Sequence, residues 1–159
     1  MESREGILVI GICDDDKSWV QTCKNTLMKF AAFINIDMEI KCFYTSKELL
    51  DYQDIPLDAV FLDIELGRQN GIMIAKKLNR IRPNCRIIYM TNYLHYATEI
   101  YNTEHIWFVV KKQFRDKIGE IINRILHDLE NKTVHLVLKT VNNEIISVIP
   151  SDICYLERE

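Results

Sequence analysis

Short apolar runs alternate with amphipathic stretches along the first 130 residues of the chain. The first run, residues 7–12, is continuously apolar and stops at three aspartates, Asp14, Asp15 and Asp16. Such a run is typical of a strand that is buried on both faces, as in a parallel sheet. Apolar residues then recur at three- and four-residue spacing from Trp19 to Ile34, which predicts a helix with Asp16 as its N-cap.

This strand-then-helix cycle repeats along the chain. Further strands are predicted at residues 38–43, 57–62, 86–90 and 106–110, and further helices at 46–52, 72–81, 94–101 and 114–129. The alternation of residues 38–43 indicates a strand nearer the sheet edge, and Pro83 ends the third helix because the residue before a proline avoids helical dihedrals. Five strands alternating with five helices predict a doubly wound α/β fold, with a five-stranded parallel sheet and helices on both faces.

The pattern changes after Leu129. Residues 134–139 alternate apolar with polar, Asn142-Asn143 is typical of a hairpin turn, residues 145–149 resume the alternation, and residues 153–156 begin another strand. We therefore expect one domain at residues 1–130 and a boundary at Asn131-Lys132. Residues 131–159 form a short C-terminal β extension that is too short for a core of its own.

The composition of the chain narrows the class of protein but identifies no functional site. Of the 159 residues, 48% are hydrophobic and 27% charged, as in ordinary globular proteins, and the net charge of −3 gives no whole-chain attraction for nucleic acid. The five cysteines are odd in number and lack CxxC spacing, which indicates a reducing compartment. No apolar stretch approaches the roughly 20 residues of a membrane span. The expected location is the cytoplasm, away from the membrane.

Acidic side chains follow two of the predicted strands. In a doubly wound sheet of order 2-1-3-4-5, the first and third strands are neighbours, and ligands bind at the carboxyl ends where the strand order reverses. Asp14 and Asp15 would then face Asp63, which ends the third strand. Two carboxylates repel by about 4 kcal/mol at 4 Å and an effective dielectric of 20, so the cluster needs a cation. Oxygen ligands favour Mg²⁺.

The other two strand ends carry groups that bind phosphate. Thr91 ends the fourth strand with a hydroxyl donor, and Lys111 ends the fifth with a positive charge suited to a phosphoryl oxygen. An acid nucleophile, metal-binding acids, a hydroxyl and a lysine at neighbouring strand ends make a constellation for phosphoryl transfer. The sequence thus predicts that Asp63 is the centre of a magnesium-dependent phosphoryl acceptor site.

Five segments, residues 12–16, 61–66, 70–71, 90–91 and 108–111, resemble the receiver domain of bacterial two-component response regulators. The resemblance implies a flavodoxin-like fold in which Asp63 accepts a phosphoryl group from a sensor histidine kinase. It implies a Mg²⁺ ion held by Asp14, Asp15, Asp63 and the backbone carbonyl of Glu65. Thr91 and Lys111 would bind the phosphoryl oxygens.

The same resemblance implies a switch rather than an enzyme that turns over a substrate. Thr91 and Phe108 would report the modification by moving, and the protein would pair as a homodimer. The expected pairing surface is formed by the fourth and fifth helices and the fifth strand. The only chemistry expected is the domain's own phosphorylation and dephosphorylation.

Residues 135–139 and 149–157 are similar to the opening strands of a LytTR-type DNA-binding domain, whose Ile-x-Tyr-x-Glu pattern is matched by Ile153, Tyr155 and Glu157. This implies that residues 131–159 are a linker and the first strands of an incomplete output domain. DNA would be bound only through the full-length output domain, which would control transcription. We expect the chain to be a fragment, because its last strand stops mid-pattern.

The sequence departs from the receiver pattern at three places and leaves two alternatives open. Lys112 replaces the usual proline after Lys111, so we expect a trans peptide or a rearranged loop there, since a cis bond before a non-proline residue costs about 3–4 kcal/mol. Asn92 stands where a small residue is common, and Gly67-Arg68 replaces another usual proline. One alternative is a receiver-like binding module that works without phosphorylation. The other is a phosphohydrolase of the haloacid dehalogenase type, because residues 63–65 imitate that family's Asp-x-Asp.

Overall fold

The computed structural model describes residues 6–133, 136–139 and 145–148 of the chain. The strands are β1 (Ile7–Cys13), β2 (Asp37–Phe43), β3 (Ala59–Asp63), β4 (Glu65–Leu66), β5 (Gln69–Asn70), β6 (Arg86–Thr91), β7 (Trp107–Val110), β8 (Leu136–Lys139) and β9 (Ile145–Val148). The α-helices are α1 (Lys17–Ile34), α2 (Ser46–Asp51), α3 (Gly71–Ile81) and α4 (Phe114–Thr133). Short 3-10 turns cover Leu94–Thr98, Ile100–Asn102 and Lys111–Gln113.

Five of these strands form one parallel sheet in the order β2-β1-β3-β6-β7. Because β6 and β7 are the fourth and fifth long strands of the chain, this is the predicted order 2-1-3-4-5, and β2 lies at the predicted edge. Cys13 is in register with Leu62, and Asp63 is in register with Met90. The ends of β1, β3 and β6 therefore lie side by side at one edge of the sheet.

The three central strands are buried along almost their whole length. Every residue of β3 and β6 is buried, as is every residue of β1 after Ile7. Since successive side chains point to opposite faces, both faces of the sheet are covered, as the continuous apolar runs predicted. One core cluster joins Val9, Val60, Leu62, Ile87 and Tyr89 of these strands to side chains that include Leu49 of α2 and Leu78 of α3.

The helices begin where the sequence predicted. The Asp16 carboxylate accepts a hydrogen bond from the Trp19 N–H at 3.1 Å and caps α1, and Asn35 ends that helix in the left-handed conformation with φ 57°. Asn70 caps α3 through the N–H of Ile72 at 2.8 Å. Each cap satisfies a backbone donor that the first turn of a helix leaves free.

The predicted helix at residues 94–101 is wrong. The structure has two 3-10 turns there, Leu94–Thr98 and Ile100–Asn102, so the described residues contain four α-helices rather than five. A helix in a protein draws most of its stability from an apolar face packed on the core. Of residues 94–102, Ile100 alone is buried, whereas Leu94 is 70% and Tyr101 81% exposed. The apolar spacing was present, but the buried face was not.

A two-residue antiparallel pair, β4 with β5, precedes α3 and was not predicted. It shapes the loop that follows Asp63.

Beyond α4, β8 pairs with β9 in antiparallel fashion, with Leu136 in register with Val148, as the alternating pattern predicted. The predicted turn at Asn142-Asn143 and the predicted strand at residues 153–156 lie outside the described residues. By its contacts the chain divides into two units between Ile121 and Ile122, within α4.

Two expectations from composition can be compared with the described residues. Cys13, Cys23, Cys42 and Cys85 are free thiols, and Cys154 lies outside this part of the chain. None of the described helices combines the length and the apolarity needed to cross a membrane.

Candidate functional site

The four strand ends that were predicted to carry chemistry lie along one edge of the sheet. Asp14 follows β1, Asp63 ends β3, Thr91 ends β6 and Lys111 follows β7. Parallel strands present their carboxyl ends on the same edge. The structure therefore brings the predicted residues into one region.

Lys111 joins two of the predicted strand ends through its ammonium group. Its Nζ lies 2.6 Å from Oδ2 of Asp14 and 3.5 Å from Oδ2 of Asp63. The lysine side chain is only 10% exposed, and both carboxylates are buried, so water screens these ion pairs little. The Lys111–Lys112 peptide bond is trans. With this backbone conformation the Lys111 ammonium group donates a hydrogen bond to the Asp14 carboxylate.

Three carboxylates form a compact acidic cluster, comprising Asp14, Asp15 and Asp63. One oxygen of each lies within 4.8 Å of the others. Asp14 is fully buried and Asp63 is 4% exposed, whereas Asp15 faces solvent. Two backbone donors hold the buried acids, since Asp14 accepts from the N–H of Asp16 at 2.9 Å and Asp63 accepts from that of Glu65 at 3.3 Å.

The environment makes the charges of the two buried acids costly. Burial, followed by the neighbouring charge of Asp14, raises the pKa of Asp63 to about 7 despite the opposing effect of Lys111. Burial also raises the pKa of Asp14, although Lys111 and the N–H of Asp16 act to lower it. For Lys111, burial acts to lower the pKa, but the hydrogen bond to Asp14 and the charges of both acids outweigh it, so that pKa is raised.

Thr91 and Phe108 lie on neighbouring strands. Thr91 is fully buried at the end of β6, and its Oγ1 accepts a hydrogen bond from the Tyr93 N–H at 3.1 Å, which leaves the hydroxyl proton free to donate elsewhere. Phe108 is half-buried in β7, in register with Tyr89, and packs against the core cluster. Their switch roles stay predictions.

Comparison with known proteins gives the family. Residues 10–123 match the response regulator receiver domain, which is well over half of the 159 residues. This chain belongs to the response regulator receiver domain family. The receiver covers the whole described acidic cluster and Lys111.

Relatives of known sequence include two proteins named for sensory transduction. The chain is 26% identical over 135 residues to sensory transduction protein LytT of Bacillus subtilis, covering 79% of this chain and 56% of LytT. It is 28% identical over 74 residues to sensory transduction protein LytR of Staphylococcus haemolyticus, covering 46% of this chain and 29% of LytR. The chain thus spans about a third to a half of the length of these relatives.

Solved structures share the receiver fold. The response regulator TrrA of Thermotoga maritima, in complex with Mg²⁺ and BeF, aligns with a TM-score of 0.65 and 24% identity over 74% of this chain and 98% of that one. The N-terminal domain of a response regulator/sensory box/GGDEF protein of Carboxydothermus hydrogenoformans aligns with a TM-score of 0.68 and 20% identity, covering 79% of this chain and 99% of that one. At such identities the likeness establishes the fold.

The acidic cluster of this receiver has the chemistry of a divalent metal site. All three ligands offered are carboxylate oxygens, the donors that hard cations such as Mg²⁺ prefer. The raised pKa of Asp63 indicates negative charge that lacks full compensation from Lys111 alone. A cation would supply that compensation, so the residues present fit the ion. Glu65 begins β4, and its carboxylate accepts a hydrogen bond from the Tyr96 hydroxyl at 2.9 Å.

Two residues of the receiver site were missed from the sequence. Trp19 was assigned to the apolar face of α1, but the structure places its ring beneath the ammonium group of Lys111. Tyr96 was assigned to a helix and instead contacts Glu65 beside Asp63. A tryptophan one turn into the helix after the aspartates is a usable signal for the first, whereas the sequence holds no local signal for the second.

Proposed function

We propose that this receiver accepts a phosphoryl group on Asp63 from the phosphohistidine of a sensor kinase, with Mg²⁺ as its cofactor. The observation that carries the proposal is the geometry around Asp63. Its buried carboxylate ends a central parallel strand, 3.5 Å from the Lys111 ammonium and within 4.8 Å of oxygens of Asp14 and Asp15. That arrangement offers an acid nucleophile, a metal site and a cation for phosphoryl oxygens in one place.

The transfer itself is a displacement at phosphorus. An oxygen of the ionised Asp63 carboxylate forms a bond to phosphorus as the phosphorus–nitrogen bond of the donor breaks. The bonding electron pair stays on the imidazole nitrogen, which takes up a proton and leaves as neutral histidine. When bound, Mg²⁺ would offset the charge of the acids and of the phosphoryl oxygens.

Two side chains would bind the transferred group. Lys111 is already 3.5 Å from Asp63, and its charge complements the roughly −1.5 to −2 charge that a phosphoryl group adds at neutral pH. Thr91 has a hydroxyl proton to donate, because its oxygen accepts from the Tyr93 N–H. These contacts would favour one conformation over another, and the population would shift on phosphorylation.

The output is proposed to be transcriptional. Two observations support this proposal: relatives that carry the name sensory transduction protein, and the antiparallel pairing of β8 with β9, which is compatible with the LytTR resemblance. We assign residues 1–130 to the receiver and residues 131–159 to a linker and the first strands of a DNA-binding domain, which would contact DNA only in full-length form. The exposed side chains of Tyr93, Leu94 and Tyr101 support pairing as a homodimer. The proposed location is the cytoplasm.

The family match favours this function over the phosphohydrolase alternative. In that alternative the second acid of the Asp-x-Asp pattern, here Glu65, would assist the nucleophile Asp63 in the reaction. Glu65 instead accepts a hydrogen bond from Tyr96. The receiver-like module that works without phosphorylation remains the second outcome of the test below.

The test is incubation of the full chain with acetyl phosphate and Mg²⁺, followed by measurement of the intact mass. We expect one adduct with the mass of a phosphoryl group, about 80 Da, and none with Asp63→Asn. Asp51→Asn, which changes an exposed acid of α2, is the matched control and should keep the adduct. A folded wild-type protein without an adduct would favour the phosphorylation-independent module, and an adduct that persists in Asp63→Asn would contradict the assignment.

A further inference from the structure

The ammonium group of Lys111 has a third neighbour besides the two acids. Its Nζ lies over the ring of Trp19, 5.5 Å from the ring centroid. A lysine within about 6 Å of an aromatic face makes a cation–π contact, which is strongest where water is excluded. The Lys111 side chain is 10% exposed, so the contact is largely desolvated.

The half-buried indole of Trp19 packs on an aromatic ring and makes no hydrogen bond within the described residues. Its ring packs edge-to-face on Phe114 with centroids 5.6 Å apart, and Phe114 packs in the same way on Phe61 at 5.5 Å. Phe61 and Phe114 are fully buried. The Trp19 Nε1–H finds no acceptor within the described part of the chain. The recorded contacts of the indole are therefore the Phe114 ring and the Lys111 ammonium group.

These rings come from the elements that carry the site. Phe61 lies two residues before Asp63 in β3, and Phe114 lies three residues after Lys111 at the start of α4. A displacement of the Trp19 ring would thus displace the Lys111 ammonium group. A displacement of the end of β3 or β7 would in turn displace the ring. The rings form a packed layer between the core and the ammonium group.

Lys111 has particular need of such contacts. A lysine side chain is long and loses rotamer entropy when it is held at one point. The two residues that follow it, Lys112 and Gln113, are exposed, and burial of the backbone segment resumes at Phe114. The ion pair with Asp14 cannot hold the ammonium group in both the metal-free and the metal-bound site, because Asp14 is also a proposed metal ligand.

We propose that Trp19 is a positioning residue for phosphoryl binding, which acts by holding the Lys111 ammonium group over its ring, beside Asp63. The proposal rests on the proposed function of Asp63 as phosphoryl acceptor. It assigns Trp19 no contact with the phosphoryl group itself.

A positioning role and a purely structural role differ in what they do to two ligands. Lys111 attracts phosphoryl oxygens but repels Mg²⁺ from the same acids. If Trp19 acts through Lys111, its loss weakens phosphoryl binding while the affinity for Mg²⁺ is unchanged or raised. If Trp19 only packs the site, its loss disturbs the acidic cluster and lowers both affinities.

The experiment compares the full chain with Trp19→Leu, Trp19→Phe and Trp107→Leu. The last is the matched control, since Trp107 is the half-buried tryptophan of β7. Calorimetry gives the Mg²⁺ affinity, and a titration with beryllofluoride in saturating Mg²⁺ gives the affinity for a phosphoryl mimic. For Trp19→Leu we expect beryllofluoride binding about three- to thirtyfold weaker, the range of a desolvated cation–π contact, with no loss of Mg²⁺ affinity.

The conservative variant and a double variant complete the test. Trp19→Phe keeps an aromatic face and should recover most of the beryllofluoride affinity, and Trp107→Leu should match the wild type. In a Lys111→Met background, Trp19→Leu should cause no further loss, because the residue through which Trp19 acts is gone. Should the leucine variant fail to fold, the same comparison is made with Trp19→Phe. We then expect a smaller loss of beryllofluoride affinity, which is seen when Lys111 is present and is not seen in the Lys111→Met protein.

Three results would overturn the proposal: parallel losses of both affinities, equal losses with and without Lys111, or a Trp19→Leu protein that binds beryllofluoride like the wild type. These results are separable from failure of the proposed function. In that case the wild-type protein itself would bind no beryllofluoride and would take up no phosphoryl adduct at Asp63.

Discussion

The carboxyl group of Asp63 occupies a position where ionisation is unfavourable without a metal. It is buried beside the equally buried Asp14, and both effects raise its pKa to about 7 from an ordinary value of 3.8. Asp63 must be ionised to act as a nucleophile. The nearby ammonium group of Lys111 favours that ionised form, whereas burial opposes it. The raised pKa therefore links the chemistry of the site to the stability of the fold.

This linkage predicts how Asp63 changes stability with pH. The unfolded carboxyl ionises near pH 4 and the folded one near pH 7, so the metal-free fold loses stability as pH rises between these values and stays level above them. Asp63→Asn removes the penalty. We expect the variant to match the wild type at pH 4 and to exceed its free energy of unfolding by roughly 2–4 kcal/mol at pH 8, measured by urea unfolding in EDTA.

Saturating Mg²⁺ is the control, since it should stabilise the wild type at pH 8 far more than the asparagine variant. Equal free energies of unfolding at pH 8 without metal would show that the charge of Asp63 is compensated in the fold.

The turn after Asp63 depends on a residue without a side chain. A Cβ on Gly71 would overlap the backbone carbonyl oxygen of Asp63 and lie 2.8 Å from Cα of Ile64. We expect Gly71→Ala to lower the free energy of unfolding by about 1–3 kcal/mol, as for other overpacked sites, and to slow phosphorylation because the Asp63 backbone must move. Urea unfolding and the rate of adduct formation measure the two effects.

Gly119 provides the matched control. A Cβ there would meet the Phe30 ring at 3.6 Å, an ordinary contact, in the interior of α4. Gly119→Ala should be neutral or stabilise by up to about 1 kcal/mol. If both alanine variants had the same stability, the close approach of Gly71 to Asp63 would have no energetic role.

At the scale of elements, the segment of 3-10 turns at residues 94–102 differs from the strands on either side. Ile100 is the only buried residue of this segment. The Tyr96 hydroxyl connects the segment to the loop after Asp63 by a hydrogen bond to the Glu65 carboxylate. Regions with few buried apolar contacts open at low free-energy cost. The segment therefore has the properties of an element that can change conformation when the neighbouring site changes.

Hydrogen exchange tests this difference in local stability. We expect amides of residues 94–102 to exchange at least about a hundredfold faster than those of β6, because β6 is buried throughout and opens only with the whole fold. Tyr96→Phe, which removes the hydrogen bond to Glu65, should speed exchange in the segment and leave β6 unchanged. Protection of the segment equal to that of β6 would contradict its weak attachment.

At the scale of the molecule, two candidate boundaries lie within α4. Contacts divide the chain between Ile121 and Ile122, whereas the sequence pattern changes at Asn131-Lys132. Ile122 and Ile125 are fully buried. A chain that ended at Ile121 would lack both side chains and would keep only eight of the 20 residues of α4, and helices that short are marginally stable.

We therefore predict that a chain ending at Glu130 folds with a melting temperature within a few degrees of the full chain and keeps its Mg²⁺-dependent phosphorylation. A chain ending at Ile121 should melt much lower or fail to fold. Calorimetry and intact mass after acetyl phosphate measure both properties. Equal melting temperatures for the two shortened chains would place the boundary at Ile121 instead of Glu130.

The amino-acid pattern predicted the five long strands and a doubly wound parallel sheet, and the order 2-1-3-4-5 was the one assumed for such a sheet. Continuous apolar runs such as residues 7–12 specify burial on both faces, and their alternation with helices leaves few topologies open. The polar residues that end those runs, including Asp14, Asp63 and Lys111, then had to lie along one edge. Both inferences depend on local periodicity and on general rules of parallel sheets, which a single chain displays without its coordinates.

Features that depend on contacts between distant segments became visible only in the folded protein. The apolar spacing of residues 94–101 fits a helix, but only the fold shows that Ile100 is the one buried residue of this segment. Likewise, the Lys111–Asp14 ion pair spans 97 residues and the ring beneath Lys111 belongs to another element. Periodicity reports which face of an element is apolar; which partner meets that face, and which cation sits on which ring, is fixed only when the elements pack.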